Sequence, residues 1–278
     1  MTEAPPKVSV CIPAYNAGTY VAEAIASVLE QDVDDVEIVV VDDDSPDDTY
    51  ELARAALAAH PRATVARNEH RLGAAGNWRE VLGRAGGTYV KLLCSDDVLE
   101  PGSLRRQVAA LDEHPGAVLV SGRRRVVDAT GRTLVAATGL RRPEGPMAGA
   151  SAIRRVVRSG GNPIGEPSAV LWRRAAADVG PALDGRWSYV IDLALYERLL
   201  AAGDLVVLPE VTASFRMWPE SWSTALASEQ ADETRRWHRR LHAEGVAGVT
   251  RADVVVGAIA ARVRQTGRAI IGRRAAGR

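Results

Sequence analysis

The chain has 278 residues, 46% of them hydrophobic and 25% charged, enough to bury one large core or two abutting halves. Its 35 basic and 35 acidic side chains cancel, so no global charge points to nucleic acid as a partner. The N-terminus is polar and proline-bearing rather than signal-like, and no apolar stretch reaches the roughly 18–20 residues of a membrane span, so cytoplasmic chemistry is expected. Residues 7–12 then read as a short strand that Pro13 stops, opening into a polar loop at Ala14-Tyr15-Asn16. An amphipathic helix is expected over residues 19–30, with Val21, Ala24, Ile25, Val28 and Leu29 on one face. A second strand, residues 36–41, runs into Asp42-Asp43-Asp44-Ser45-Pro46-Asp47-Asp48-Thr49. The next helix should begin there, with Ser45 as N-cap, Pro46 at the first helical position and Asp48 closing a capping box.

A short strand near residues 63–66, a glycine-containing loop and a helix around residues 77–84 lead to the most telling segment. Tyr89-Val90-Lys91-Leu92-Leu93-Cys94 has the length and apolar character of a buried strand, and it runs straight into Ser95-Asp96-Asp97-Val98. Charge is costly to bury, so acids at a strand's carboxyl end emerge into the crevice where open α/β sheets bind ligands. Two hard oxygen ligands there suit Mg²⁺ or Mn²⁺, which keep waters and bridge to substrate phosphates. The same residues could equally cap a helix near Pro101.

Further on, residues 104–111 read as helix and 117–121 as strand, with a hairpin over 126–135 and a loop at 143–149. A helix at 151–158 precedes Gly160-Gly161-Asn162-Pro163-Ile164-Gly165-Glu166-Pro167, which holds too many breakers for any element. A strand at 169–172 and a helix capped by Ser188, with Asp192 in its first turn, follow. The alternation of strand and helix implies a mostly parallel α/β sheet, and no internal repeat is present. Cys11 and Cys94 fall in separate strands and read as a reduced pair rather than a disulfide.

Four segments, residues 7–16, 36–49, 67–78 and 89–98, agree in order, type and spacing. In this they resemble the inverting nucleotide-sugar glycosyltransferases of family 2, which have the GT-A fold; the likeness covers roughly residues 7–222. The resemblance implies a GT-A-like (Rossmann-like) sheet with flanking helices. Residues 1–98 would form the nucleotide-sugar half, residues 99–224 the acceptor half, and residues 225–278 a helical, basic tail. It implies that Asp43 accepts a hydrogen bond from a uracil ring. Pro13, Ala14 and Tyr15 would shape the base and ribose pocket, although Tyr15 reads equally well as core. Asp97 aligns with the metal-binding acid, for Mg²⁺ or Mn²⁺, and Asp96 with its partner that touches ribose or metal. Arg71 lies where the chain passes the diphosphate but reads as one of many surface arginines.

On the acceptor side, Asp192 aligns with the catalytic base, with Ile191 where relatives carry an acid; Asp184 and Glu166 are lesser candidates. Glu166, in its Gly/Pro loop, is placed to meet acceptor hydroxyls or to be an exposed loop acid. Residues 215–223 resemble the segment that closes the site, with Trp218 where relatives often carry His. Trp218 and Trp222 either stack on sugar faces or pack in the core.

The expected reaction moves a sugar from a nucleoside diphosphate, most simply UDP, to an unidentified acceptor hydroxyl with inversion. Two alternatives remain: a haloacid-dehalogenase-like phosphatase built on Asp42-Asp43-Asp44, and a non-catalytic nucleotide-sugar-binding protein. From residue 251 to 278 the tail carries Arg251, Arg262, Arg264, Arg268, Arg273, Arg274 and Arg278 against the single acid Asp253, interleaved with Val and Ile. Peripheral contact with an anionic membrane, or simple packing on the catalytic unit, would both use such a helix.

Overall fold

The computed structural model describes residues 5–141, 145–218, 221 and 230–262. Its strands are β1 (Val8–Ala14), β2 (Val36–Asp42), β3 (Ala63–Arg67), β4 (Tyr89–Leu92), β5 (Val98–Leu99), β6 (Ala117–Val127), β7 (Thr133–Thr138), β8 (Val170–Arg173) and β9 (Asp204–Arg216). They form one sheet in the order β3-β2-β1-β4-β8-β6-β9-β5, with β7 paired to β6. The ladders among β1–β4 are parallel, as is β6 with β9; β8, β5 and β7 pair antiparallel. The GT-A-like α/β expectation holds, but its parallel character is confined to those two parts of a mixed sheet.

Both faces of the sheet are covered, which is why its strands read as continuous apolar runs rather than alternating ones. On one face Val8, Val10, Ile12, Ile38, Val40 and Leu93 pack under α1 (Val21–Leu29), α2 (Thr49–Ala56) and α4 (Ser103–Glu113). On the other, Val39, Val41, Leu92, Leu119 and Trp172 pack under α3 (Gly73–Gly83), α5 (Gly149–Ser159), α6 (Ile191–Leu200) and α7 (Gln230–Ala243). Residues 251–262 form a last described helix, α8, laid across the end of α5. Among the described residues no helix is long and apolar enough to cross a membrane.

Three local expectations change. The capping box at Ser45 and Asp48 does not form: α2 starts at Thr49, and Asp48 makes no side-chain cap. The Ser45 hydroxyl is taken instead by Asp42, and it accepts the Asn16 N–H (2.9 Å). Ser188 does not cap α6, whose N-cap is Val190. The expected strand at 117–121 extends to Val127 and takes in three arginines. Cys11 and Cys94 are both free, Cys94 lying just beyond β4. Trp222 and, of the basic tail, residues 225–229 and 263–278 lie outside the described residues.

Candidate active site

The carboxyl ends of β1, β2 and β4 lie side by side, because Ala14 pairs with Asp42 and Cys11 with Leu92 across parallel ladders. Asp42 is fully buried: it accepts the Ser45 N–H (3.1 Å) and pairs with Arg67 (3.4 Å). Asp43 is also buried. Its Oδ1 accepts from Asn68 Nδ2 and the Leu72 N–H, both 2.8 Å, and its Oδ2 from the Gly73 N–H (2.9 Å). The carboxylate thus sits at the positive N-terminal end of α3 and sets the loop before it. Asn77 extends the network, donating to the carbonyls of Ala14 (3.3 Å) and Val41 (3.1 Å).

Pro13 and Ala14 end β1 beside this network, and the Ala14 carbonyl accepts the Asp43 N–H (2.8 Å). Tyr15 is not core: it is 39% exposed, and the Arg71 guanidinium stacks over its ring at 3.9 Å. Arg71 is therefore exposed, as expected of a surface arginine, yet it is held at the rim of the loop.

The Ser-Asp-Asp segment differs from expectation in orientation. Asp97 does not face solvent. It is 1% exposed, with Oδ2 accepting from Ser168 Oγ (2.6 Å) and Oδ1 from the Arg216 N–H (3.0 Å). Asp96 is half-buried and accepts the Trp218 indole N–H at 2.8 Å. Neither acid caps α4, which begins after Gly102 in a left-handed conformation. Burial holds the Asp97 carboxyl well above the usual carboxylate range, and Asp96 and then Glu166 raise it further against the offset from Ser168 and Arg216. Burial likewise raises Asp96, while Trp218 and Arg216 lower it.

Arg216, which the sequence reading passed over, is the hub on this side. Its guanidinium donates to Glu23 (2.7 Å), the Asp96 carbonyl (2.9 Å) and the Ala129 carbonyl (3.2 Å), and lies over Tyr20 at 4.6 Å. Trp218 packs edge-on against the same Tyr20 ring (5.3 Å), so its place is fixed by an aromatic contact and an indole hydrogen bond.

Asp192, in the first turn of α6, is half-buried. It accepts from Asn162 Nδ2 (2.6 Å) and the Leu193 N–H (2.7 Å). Burial first, and Glu166 second, push its carboxyl up to about 7, against lowering by Leu193, Asn162 and Arg124. Glu166 is no free loop acid; its carboxylate pairs with Arg124 of β6. Because Glu166 raises both Asp97 and Asp192, the two acids face one charged cluster although 95 positions separate them in the chain. Asp184 stands apart, holding the Arg186 N–H (2.9 Å) in an exposed turn. Ser168, Asn162 and Arg124 were missed; Asn162 lies within the noted Gly/Pro loop and Ser168 directly follows it, the one local signal that could have flagged them.

Among the described residues, no three His, Cys, Asp or Glu side chains converge to hold a metal ion alone. Asp96 and Asp97 are two adjacent hard-oxygen donors of the kind a divalent cation takes, with substrate oxygens and water left to supply the rest of its shell; one Asp96 oxygen carries the Trp218 hydrogen bond and both Asp97 oxygens carry one.

Residues 9–178 match the sequence profile of Glycosyl transferase family 2. A Mycobacterium tuberculosis protein, MT1568, is 37% identical over 180 residues, covering 63% of this chain and 56% of its own. Chondroitin synthase of Escherichia coli is 38% identical over 100 residues, 36% of this chain and 14% of that protein. The chain thus spans about half of the first relative and a small part of the second. The crystal structure of S. aureus TarS 1–349 in complex with UDP-GlcNAc superposes with a TM-score of 0.62 at 20% identity, over 83% of this chain and 65% of that one. The profile takes in both strand-end acid clusters and the Glu166 loop, and on that match the chain belongs to glycosyl transferase family 2.

Proposed function

We propose that the protein transfers a sugar from a nucleoside diphosphate, UDP in the first instance, to an acceptor hydroxyl with inversion at the anomeric carbon. The observation that carries this reading is Asp192, a carboxyl raised to about 7 and aimed by Asn162 within the cluster that also holds Asp96 and Asp97. A base poised near neutral pH both exists in its charged form and binds a proton well enough to draw it from a hydroxyl. Residues 1–98 would bind the donor and residues 99–224 the acceptor. Pro13, Ala14 and Tyr15 line the strand end where the base and ribose would lie, with Asp43 behind them as hydrogen-bond acceptor. UDP as donor is supported by the TarS structures, whose bound ligands are UDP and UDP-GlcNAc.

Asp97, with Asp96 beside it, would hold Mg²⁺ or Mn²⁺. When bound, such an ion neutralises charge on the departing diphosphate. The remaining work belongs to the chain: Trp218 and Ser168 orient the two acids, Glu166 with Arg124 sets the charge around Asp192, and Asp192 accepts the acceptor's proton. A single-displacement arrangement with one base leads to inversion. We also propose that the exposed face of α8 meets an anionic membrane surface.

The test uses the full chain. Asp192→Asn should keep UDP affinity by calorimetry with Mn²⁺ and lower transfer roughly 10²–10⁴-fold. Wild-type turnover in that variant would remove Asp192 from the mechanism. UDP affinity that is identical with and without Mn²⁺, and in Asp97→Asn, would remove the metal.

A further inference from the structure

The negative charge at the start of α6 comes from another helix. Glu233, in the first turn of α7, is buried, and its carboxylate accepts the backbone N–H groups of Ser188 (3.0 Å), Tyr189 and Val190 (2.9 Å). Successive amides turned onto one point form an anion-binding nest, and this one coincides with the positive end of a helix. It is filled by the protein's own acid. The next residues bring Asp192, whose Oδ1 takes the Leu193 N–H and whose Oδ2 takes Asn162. The amides of 188–190 thus go to Glu233 and that of 193 to Asp192.

α7 is fastened to α6 a second time. Trp237 Nε1 donates to Glu197 (3.1 Å), and Arg240 pairs with the same carboxylate. A helix end needs only a local hydroxyl or carboxylate to cap it. Burying a carboxylate 45 positions away is a costlier solution, which calls for a reason beyond capping. With Glu233 gone, those amides lose their carboxylate, and Asp192 is the acid in the first turn of the same helix.

We propose that Glu233 is a positioning residue for the base: by filling the nest it keeps Asp192 turned toward Asn162 and the charged cluster. The inference rests on the reading of Asp192 as base, and it makes α7 part of the catalytic machinery rather than an appendage. The groups facing Asp192 are Glu166 from its loop, Arg124 from β6 and Tyr196 from α6; Glu233 acts from behind, through the backbone.

The experiment titrates the Asp192 carboxyl by NMR in full-length protein carrying ¹³Cγ-aspartate, the signal being assigned by its loss in Asp192→Asn. In Glu233→Gln the side chain keeps its size, loses its charge and exchanges one of its two accepting oxygens for an NH₂, which cannot accept from an amide. Asp192 should then be drawn into the nest, and its midpoint should fall by at least one pH unit, because amides stabilise the ionised form. Glu233→Asp should restore most of the wild-type value. Release of UDP from UDP-GlcNAc and UDP-glucose provides a second readout, with kcat down roughly tenfold and donor KM unchanged. A folded Glu233→Gln with an unmoved midpoint overturns the proposal. So does a variant that loses its fold, since that assigns Glu233 a structural role only. Full turnover in Asp192→Asn would instead fail the base reading and leave the Glu233 titration shift standing.

Discussion

Asp192 owes its raised pKa first to burial and second to Glu166, so its charge state is set by neighbours that can be changed one at a time. Transfer should rise with pH along a limb centred near 7, and Glu166→Gln should move that limb toward acid by removing the repelling charge; rate profiles from pH 5 to 9 will show it. Stability has the opposite sign. A carboxyl raised above its unfolded value of about 3.9 favours the folded state while protonated, and that contribution is lost as pH climbs from about 4 to about 7. Asp192→Asn should therefore stabilise the protein at pH 8, by about 2 kcal/mol for a half-buried group, and have no effect at pH 4. Melting temperatures at the two pH values give the answer. At Trp218 the indole N–H and the ring have separable jobs. Trp218→Phe keeps the packing on Tyr20 but drops the hydrogen bond to Asp96, so Mn²⁺-dependent UDP affinity should weaken roughly tenfold, the worth of one charge-assisted hydrogen bond, with little change in melting temperature. Calorimetry of UDP with Mn²⁺ measures this directly.

At the scale of elements, α8 shows how tightly the end of the chain is built in. Thr250 and Asp253 cap it reciprocally, the Thr250 N–H meeting the carboxylate at 3.0 Å and the Asp253 N–H meeting the hydroxyl at 3.2 Å. The same carboxylate, fully buried, pairs with Arg154 (3.2 Å) and Arg158 (2.9 Å) of α5, and these partners hold it well below the usual range. The two helices touch backbone to backbone: a Cβ on Gly257 would overlap the Val157 carbonyl. Gly257→Ala should unseat α8 and expose residues beyond 250 to proteolysis while α1–α4 stay folded, as limited digestion with mass analysis will reveal. Between α7 and α8, burial pushes His238 down to about 4, and its buried Nε2 has no hydrogen-bond partner among the described residues. A neutral buried histidine contributes its full stability above the unfolded pKa of about 6.5 and loses it as pH falls toward 4, a change bounded at roughly 3 kcal/mol. The melting temperature of the wild type should drop over that interval by more than that of His238→Leu.

For the molecule as a whole, the docking of α8 decides which of its faces meets the outside. Asp253 and Gly257 point inward, while Val255, Val256 and Ile259, the last 60% exposed, point outward with Arg251 and Arg262 beside them. The chain continues with Arg264, Arg268, Arg273, Arg274 and Arg278. Apolar side chains flanked by arginines suit the headgroup region of an anionic bilayer, where each arginine adds about 1 kcal/mol. Full-length protein should float with anionic liposomes at low salt, and the double change Val255→Glu and Ile259→Glu should abolish flotation without altering UDP affinity. Equal flotation of both proteins would remove the membrane from the account.

The sequence by itself determined the parallel core and the placing of acids at its strand ends. Residues 36–41 and 89–93 are apolar on both sides because helices cover both faces of the sheet. The acids that follow them had to lie at strand ends, where backbone and water or substrate can meet their charge. Asp192 was legible for the same local reason, as an acid in the first turn of a helix. What it could not determine was which donor each acid would find. Ser45-Pro-Asp-Asp48 and Thr250-Arg-Ala-Asp253 share one pattern, yet only the second caps a helix, because Asp42 draws Ser45 away. Asp97 turned inward once Ser168 and the Arg216 amide, distant in the chain, offered it hydrogen bonds. The long strand β9 was hidden by Pro209 and Glu210, which bulge out between Val207 and Val211 where the ladder with β6 shifts register. Glu233 carried no local sign of its role. In each case, the deciding partner comes from another element. A buried charge is stable only where such donors converge, and that convergence is a property of the folded chain alone.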